Sequence, residues 1–154
     1  MSNVVKIFSD GSCFGNPGPG GYCSIIQCNN QEIIISSGFY YTTNNRMELM
    51  GVIKALEKIK KPCIIEVTLD SQYVQKGISL WIKKWKLNNW KTAKNTKVKN
   101  IDLWVHLNKG LCHHKVNWKW IKGHSGHSEN ERCNDKAKDS AKYPTFQDFG
   151  YVTY

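Results

Sequence analysis

Apolar residues alternate or cluster in five short stretches that are typical of β-strands. The first, residues 4–9, is β-branched and aromatic and ends at Asp10, and a glycine- and proline-rich turn follows at residues 15–21. Residues 22–27 and 32–40 are the next two strand candidates. Because the connections between these stretches are short, the pattern predicts an antiparallel meander of three strands.

The spacing of apolar residues becomes helical between residues 44 and 59, which predicts an amphipathic helix. Its apolar face carries Leu49, Val52, Ile53, Leu56 and Ile59. Pro62 ends this helix, and residues 64–69 form a buried type of strand that ends at Asp70. A strand, a helix and a second strand in this order imply a crossover connection and a parallel strand pair.

Residues 71–111 show a helical pattern that a polar segment interrupts. Trp81 and Trp85 are four residues apart and therefore share one helical face. A second apolar stripe consists of Leu103, Trp104, Leu107 and Leu111. The lysine-rich residues 86–100 separate the two stripes, so we expect two helical stretches on either side of a polar segment.

The last part of the chain predicts one more strand and one more helix. The strand, over residues 116–121, has apolar residues at the alternating positions Val116, Trp118 and Trp120. A loop at residues 123–128 follows, and a final helix is expected at about residues 129–141 because Cys133, Ala137 and Ala141 share one side. This order of elements predicts an α/β protein with a mixed sheet and helices on its faces.

Length and composition suit one domain, which we expect to span residues 1–154. No stretch is long and apolar enough for a transmembrane helix, and no secretory signal is recognisable, so we expect a cytoplasmic protein without membrane contact. The six cysteines include no C-x-x-C pair and therefore indicate reduced thiols. A zinc site is the weaker alternative, because the spacing of His124, His127 and Cys133 is unusual for zinc. The other candidate ligands for it are Cys112, His113 and His114.

The formal net charge is +10, from 22 lysines and arginines against 12 acidic residues. Such a balance favours a polyanionic partner such as nucleic acid. A basic protein without that partner fits the charge equally well, so charge alone does not decide between the two.

Three acidic residues occupy positions where ligand sites of α/β proteins are found. Asp10 follows the first strand, Asp70 follows the fourth, and Glu48 lies in the first turn of the helix between them. Ligands bind beyond the carboxyl ends of central strands, so a parallel first and fourth strand would bring Asp10 and Asp70 together. Glu48 precedes Val52 by one helical turn and leans toward the packed side, where a bare charge is costly.

A divalent cation would satisfy all three carboxylates together. Hard oxygen ligands suit Mg²⁺, with Mn²⁺ as a substitute, and two such ions about 4 Å apart can stabilise the oxygens of a phosphoryl displacement. Each acid alone also has a structural interpretation. Asp10 and Asp70 fit strand-end turns, and Glu48 fits a capping box with Asn45. The metal interpretation therefore depends on the combination.

Five motifs carry a resemblance to a known family. They are Asp10-Gly11-Ser12 with Gly15-Asn16-Pro17-Gly18, TTNNRME at 42–48, TLDSQYV at 68–74, WIKGHSG at 120–126 and ENER at 129–132. In this order, and over nearly the whole chain, they closely resemble bacterial type 1 ribonuclease H. The resemblance implies the ribonuclease H fold, a five-stranded mixed sheet in the order 3-2-1-4-5 with helices on both faces.

The resemblance also implies an activity and a set of catalytic residues. The activity is endonucleolytic, metal-dependent cleavage of the RNA strand of RNA–DNA hybrids, which leaves 5′-phosphate and 3′-hydroxyl ends. Asp10, Glu48 and Asp70 would be metal ligands, and His124 would shuttle a proton or help to release product. A histidine with a pKa of about 6.5 suits that work, although a plain loop histidine is the alternative.

One position departs from the family pattern. The family places a fourth carboxylate where this chain has Asn134, and Asp135 follows at once. Asn134 shares a helical stripe with Ala137 and Ala141, whereas Asp135 shares one with charged residues, so we place Asn134 in the metal site. Its amide oxygen can accept a water or touch a metal but brings no charge, so we expect lowered metal affinity or turnover.

A lysine-rich stretch at about residues 81–99 resembles the basic protrusion with which the family grips the DNA strand. Lysines neutralise phosphates without reading sequence. The candidate substrate-binding residues are Cys13, Asn16, Asn44, Asn45, Gln72, Lys84, Trp85 and Lys86. A solvated loop is the alternative for the lysines, and core or hinge packing is favoured over base stacking for Trp81 and Trp85.

Two other functions remain open from the sequence. One is another two-metal nuclease of the same fold, such as an integrase-like or junction-resolving enzyme, and the other is a non-catalytic hybrid-binding module. The basic stretch and the Gly-His-Ser-Gly loop argue against the first, and the three intact acids argue against the second. We expect a monomer that needs no protein partner.

Overall fold

The computed structural model describes residues 4–122 and 127–151. Its centre is one five-stranded sheet in the order β3-β2-β1-β4-β5. The strands are β1 (Val4–Cys13), β2 (Gly18–Cys28), β3 (Gln31–Thr42), β4 (Ile64–Leu69) and β5 (Lys115–Trp120). The first three strands pair antiparallel, whereas β1, β4 and β5 run parallel. The predicted fold class and strand order are therefore confirmed.

The helices lie on both faces of the sheet. They are α1 (Asn44–Glu57), α2 (Gln72–Lys76), α3 (Ile82–Leu87), α4 (Ile101–Leu111) and α5 (Ser128–Lys142), with a π-helical turn at Gly77–Trp81 between α2 and α3. The larger core packs α1 and α4 against β1, β4 and β5 through Ile7, Val52, Val67, Trp104 and Leu107, among others. A smaller core joins α5 to the other face through Phe8, Cys23, Ile25, Cys133 and Ala137.

The sequence pattern located most elements correctly. β4 has the predicted bounds, and β5, α1 and α5 differ from the prediction by one or two residues at their ends. Within the described residues, no helix combines the length and the apolar character that crossing a bilayer requires.

The predicted end of the first strand at Asp10 is wrong, because β1 continues to Cys13. The parallel pairing with β4 stops at Phe8, but the antiparallel pairing with β2 continues until Cys13 faces Gly20. For the same reason the predicted turn at 15–21 is too long, since β2 already begins at Gly18. Glycines that predict a turn from the local sequence can instead belong to a strand when the neighbouring strand is long enough to pair with them.

The helix at residues 44–57 begins differently from the capping-box interpretation. Its N-cap is Thr43, whose hydroxyl accepts a hydrogen bond from the backbone N–H of Arg46. Asn45 is therefore already helical, and the alternative in which Glu48 pairs with it as a cap is wrong. Glu48 is left to point into the molecule rather than back toward the helix end.

Candidate active site

Asp10, Glu48 and Asp70 converge at one end of the sheet. Each offers a carboxylate oxygen, and these atoms all lie within 4.8 Å of one another. Asp10 and Glu48 are only 3% and 6% exposed, whereas Asp70 is half-buried. In the described ranges, 4–122 and 127–151, this is the one cluster of three or more side chains able to hold a metal ion.

The parallel strands bring the two aspartates together. Phe8 in β1 pairs with Thr68 in β4. Asp10 lies two residues after Phe8 within β1, and Asp70 lies two residues after Thr68, directly beyond the end of β4. They therefore reach the same level at the carboxyl end of the sheet, as expected for a ligand site in an α/β protein.

Close packing of α1 on β1 adds the third carboxylate. A Cβ atom at Gly11 would lie 2.7 Å from the backbone nitrogen of Glu48 and 2.8 Å from the Cβ of Met47. Only glycine lets the two backbones approach so closely. The first turn of α1 therefore lies directly over Asp10, and Glu48 enters the site from the side.

The pKa of Glu48 is raised well above its ordinary value. The main cause is the burial of its own side chain, followed by the negative charges of Asp10 and Asp70. Its Oε2 atom is buried and accepts no hydrogen bond from residues 4–122 or 127–151, although most buried polar atoms of folded proteins are paired. A positive charge bound at this site would stabilise the three carboxylates.

Asn134 lies beside the three acids. Its Nδ2 donates a hydrogen bond of 2.9 Å to Oδ2 of Asp10, and the backbone N–H of Gly11 donates to the other oxygen at 2.9 Å. Asn134 belongs to the inner side of α5 with the buried Ala137 and Ala141, whereas Asp135 is exposed. The amide nitrogen, and not the amide oxygen, therefore faces Asp10.

The loop between β1 and β2 is tied to the start of α1 at the rim of the site. Oδ1 of the exposed Asn16 accepts a hydrogen bond of 2.8 Å from the backbone N–H of Asn44. The half-buried Cys13 points its thiol at the carbonyl oxygen of Thr42, 3.4 Å away. Asn45 is exposed in the same first turn of α1. These four polar candidates, Cys13, Asn16, Asn44 and Asn45, therefore share one rim.

The remaining candidates lie on the chain that follows Asp70. Gln72 is exposed at the start of α2, which Ser71 caps. Lys84 and Lys86 are exposed on α3, whereas Trp85 between them is half-buried against Trp81 and Trp104. The hinge-packing interpretation of Trp81 and Trp85 agrees with these ring contacts. His124 lies outside the described residues.

Sequence reasoning missed a buried ionic group next to the site. Arg46 is 1% exposed, and its guanidinium donates to Asp102 at 2.7 and 2.9 Å and to Asp148 at 2.7 and 3.0 Å. The sequence does hold one signal, since Arg46 lies one helical turn before the buried Met50 on α1. Its partners are more than fifty residues away, so no local pattern identifies them.

Comparison with known proteins places these features in a family. The family model of RNase H matches residues 2–142. A curated ribonuclease H of Buchnera aphidicola subsp. Baizongia pistaciae is 62% identical over 152 residues, which cover 99% of each chain.

Solved structures give the same result for the fold. LC9-RNase H1, described as a type 1 RNase H with the type 2 active-site motif, superposes with a TM-score of 0.83 at 29% identity. The match covers 94% of this chain and 75% of that one. LC11-RNase H1, solved in complex with an RNA/DNA hybrid, superposes with a TM-score of 0.66 at 18% identity, over 90% of this chain and 96% of that one.

Proposed function

The chain belongs to the ribonuclease H family, among its bacterial type 1 members, and we propose that it cuts the RNA strand of RNA–DNA hybrids at internal bonds. The products would carry 5′-phosphate and 3′-hydroxyl ends. One observation carries the proposal: carboxylate oxygens of Asp10, Glu48 and Asp70 lie within 4.8 Å of one another, and a buried oxygen of Glu48 has no hydrogen-bond partner in the described part of the chain.

The donor set fits divalent cations of the Mg²⁺ type, with Mn²⁺ as a substitute. All three side chains offer hard oxygen atoms, and burial of like charges makes this group costly without a cation. When bound, two such ions would stabilise the attacking and leaving oxygens of an in-line displacement and lower the pKa of the attacking water.

Asn134 supports the site without adding charge. Its N–H group donates a hydrogen bond to Oδ2 of Asp10, which also has an oxygen within 4.8 Å of the other two acids. A fourth carboxylate would instead add a negative charge for the cations. We therefore propose that this chain binds its metal ions more weakly than it would with aspartate at this position, but remains active.

The polar rim is proposed to select the RNA strand. A protein distinguishes RNA from DNA through contacts to the 2′-hydroxyl group, which both donates and accepts hydrogen bonds. Cys13, Asn16, Asn44, Asn45 and Gln72 offer such groups around the acids. The bond between Asn16 and Asn44 holds the two sides of this rim in a fixed relation.

Residues 81–99 are proposed to act as the basic protrusion of a single domain, with Lys84, Trp85 and Lys86 on the DNA strand. The lysines of this stretch are exposed and extend from α3 into the loop beyond it. His124 is proposed to move a proton near the scissile bond, in keeping with the ordinary pKa of histidine of about 6.5. We propose a monomer without an obligate partner, and a dimer mass in light scattering would overturn that part.

The proposal is tested with an RNA–DNA hybrid labelled on the RNA strand. We expect internal RNA cuts in Mg²⁺ or Mn²⁺, no cuts in EDTA, and no cleavage of duplex DNA, duplex RNA or DNA junctions. Asp10→Asn should abolish cleavage, whereas Asp135→Asn, with the same change in charge, should not. An intact hybrid under all metal conditions, or equal cleavage of duplex DNA, would refute the proposal.

A second readout separates metal binding from catalysis. Mg²⁺ should raise the melting temperature of the wild-type protein, because a ligand that binds only the folded state stabilises it. The rise should be absent in Asp10→Asn and retained in Asp135→Asn. A rise that persists in Asp10→Asn would mean that the stabilising cation binds elsewhere.

A further inference from the structure

Tyr73 joins the base of the protrusion to the body of the protein. It lies in α2, three residues after Asp70, and its hydroxyl oxygen accepts hydrogen bonds from Trp104 Nε1 at 2.9 Å and Asn100 Nδ2 at 3.1 Å. Its ring packs against Trp81 at 5.8 Å and against Trp104 at 5.5 Å, measured between ring centroids. One side chain therefore contacts the residues on both sides of the protrusion.

Donor-only groups fix the direction of these bonds. Trp104 Nε1 can only donate, so the Tyr73 oxygen must accept. Arg46 can also only donate, and its guanidinium lies 3.3 Å from Oδ1 of Asn100. The Asn100 amide therefore turns its oxygen to Arg46 and its nitrogen to Tyr73, and the tyrosine hydroxyl is the acceptor that this arrangement requires.

Asn100 makes the connection continuous. It is 6% exposed, it has a left-handed backbone with a φ of 60°, and it is the residue from which α4 starts. Arg46, on its other side, lies in the first turn of α1, two residues before Glu48. A chain of hydrogen bonds thus runs from α2, which precedes the protrusion, through Asn100 at its far end to the helix that carries one of the acids.

The protrusion is attached mainly at its two ends. Ile82 and Val98 are buried in the larger core, whereas from Lys83 to Lys97 the described side chains are exposed except Trp85, Trp90 and Thr92, which are half-buried. A π-helical turn at Gly77–Trp81 precedes it, and Gly77 packs so closely on Trp104 that a Cβ atom would lie 1.9 Å from that ring. The position of the lysines relative to the acids thus depends on the contacts at the two ends of the protrusion, and the aromatic group around Tyr73 is one of these contacts.

We propose that Tyr73 is a positioning residue for substrate binding: its hydroxyl holds the protrusion where Lys84 and Lys86 reach the same hybrid as the carboxylates. This rests on the proposed function, since it assumes that the lysines contact the nucleic acid. Tyr73 itself would not contact the reacting atoms. Its loss should affect binding of the hybrid and leave the chemical step unchanged.

The test is Tyr73→Phe, which removes only the hydroxyl. We expect the KM for a short hybrid to rise about three- to tenfold, the size of one net hydrogen bond, with kcat changed less than about twofold. Binding of the hybrid in EDTA should also depend less steeply on salt, because lysines that no longer reach phosphates release fewer counterions.

Two comparisons separate positioning from a general loss of stability. Tyr22→Phe removes a hydroxyl that contacts Ser37 between β2 and β3, far along the chain from the protrusion, and should leave KM and the salt dependence unchanged. In Lys84→Ala/Lys86→Ala, the further change Tyr73→Phe should add little, because both act through the same lysine–phosphate interaction.

The outcomes distinguish this inference from the proposed function. A lower melting temperature with unchanged KM and salt dependence, measured well below the melting point, would overturn the inference, as would additive effects in the combined variant. If Tyr73→Phe is too unstable to assay, amide hydrogen exchange at low temperature decides: exchange must increase selectively in residues 82–99. A wild-type protein that neither binds nor cleaves the hybrid would instead refute the proposed function.

Discussion

At the scale of single residues, Glu48 shows how the site balances stability against function. Without a cation, the folded protein binds a proton at Glu48 more tightly than the unfolded chain does, because burial and the charges of Asp10 and Asp70 raise its pKa. The free energy of unfolding should therefore fall as the pH rises above the ordinary pKa of glutamate. A bound cation would remove this cost.

Glu48→Gln removes the charge and should make the metal-free protein more stable at neutral pH, because the buried carboxylate no longer has to ionise there. Thermal melts in EDTA between about pH 4 and pH 8 should show a weaker loss of stability with rising pH than in the wild type. Glu57→Gln changes a more exposed glutamate in the last turn of α1 and serves as the control. If the stability of Glu48→Gln falls with rising pH as steeply as that of the wild type, ionisation of Glu48 is not the cause of the loss.

Asn134→Asp should act in the opposite direction. The change replaces a hydrogen bond donated to Asp10 by a negative charge next to Asp10. The metal-free protein should therefore lose about 1–3 kcal/mol of stability. The same charge should strengthen Mg²⁺ binding by about tenfold, which corresponds to about 1.4 kcal/mol. Calorimetric titration with Mg²⁺ and melting in EDTA measure the two effects.

The control for this pair of measurements is Asn30→Asp, in the exposed turn between β2 and β3. Aspartate tolerates the positive φ of that turn, so the substitution adds the same charge without strain. If Asn134→Asp and the wild type bind Mg²⁺ with the same midpoint concentration in the titration, Asn134 does not limit metal affinity.

At the scale of elements, Arg46 fastens three parts of the fold. Its guanidinium lies between Asp102 in α4 and Asp148 in the segment after α5, and Asp148 also accepts a hydrogen bond of 2.7 Å from Thr42 at the end of β3. These contacts fix the start of α1 from two sides. The first turn of that helix carries the polar rim and Glu48.

Asp148→Ala should therefore be costly, because it leaves Arg46 buried with only part of its charge compensated. We expect a loss of about 3–5 kcal/mol in urea unfolding, the usual cost of breaking a buried ion pair from one side. Glu32→Ala breaks the exposed pair with Arg132 and should change stability little, since water and salt screen that pair. Similar losses in both variants would contradict the buried role of Arg46.

The contact of α5 with β3 offers a second test at this scale. A Cβ atom at Gly38 would lie 1.9 Å from the carbonyl oxygen of Ser140, so Gly38→Ala must push the helix end away from the sheet. We expect a loss of about 1–3 kcal/mol in urea unfolding. Gly110→Ala in α4 meets only the side chain of Leu56, at 3.3 Å, and should be neutral or slightly stabilising. Equal changes in the free energy of unfolding for Gly38→Ala and Gly110→Ala would mean that α5 can move away from β3 at little cost.

At the scale of the whole molecule, a buried acidic cluster lies within a strongly basic protein. The net charge of +10 attracts a polyanion over a long distance, while cations at the acids would allow phosphates to approach the negative site itself. The exposed lysines after α2 are the part of this charge that the proposed function assigns to substrate.

Lys84→Ala/Lys86→Ala should weaken hybrid binding and reduce the slope of log K against log salt by about 2, one for each phosphate that the variant no longer neutralises. Fluorescence anisotropy in EDTA at several salt concentrations gives the slope. Lys60→Ala/Lys61→Ala makes the same change in charge beyond the other end of α1 and should alter the slope much less. Equal slopes for the two double variants would show that net charge, not the protrusion, determines binding.

The elements of this protein were largely predictable because their signals are local. The strand at 64–69 and the helices near 44–57 and 128–142 follow from side-chain periodicity, which the geometry of the backbone imposes on any packed strand or helix. The proximity of Asp10 and Asp70 also followed from sequence, because residues at the carboxyl ends of two paired parallel strands lie at the same edge of the sheet. Errors arose at strand ends, where β1 continued along β2.

Other features required the tertiary structure. The hydrogen bond from Asn134 to Asp10 spans 124 positions of the chain, and that from Arg46 to Asp148 spans 102. The linkage of Tyr73 to Asn100 and Arg46 likewise joins separate helices. Sequence by itself determined which side of each element is buried and which residue types could do chemistry. Only the packing of the elements decided which polar atoms meet, because hydrogen bonds depend on distances and angles that no local pattern specifies.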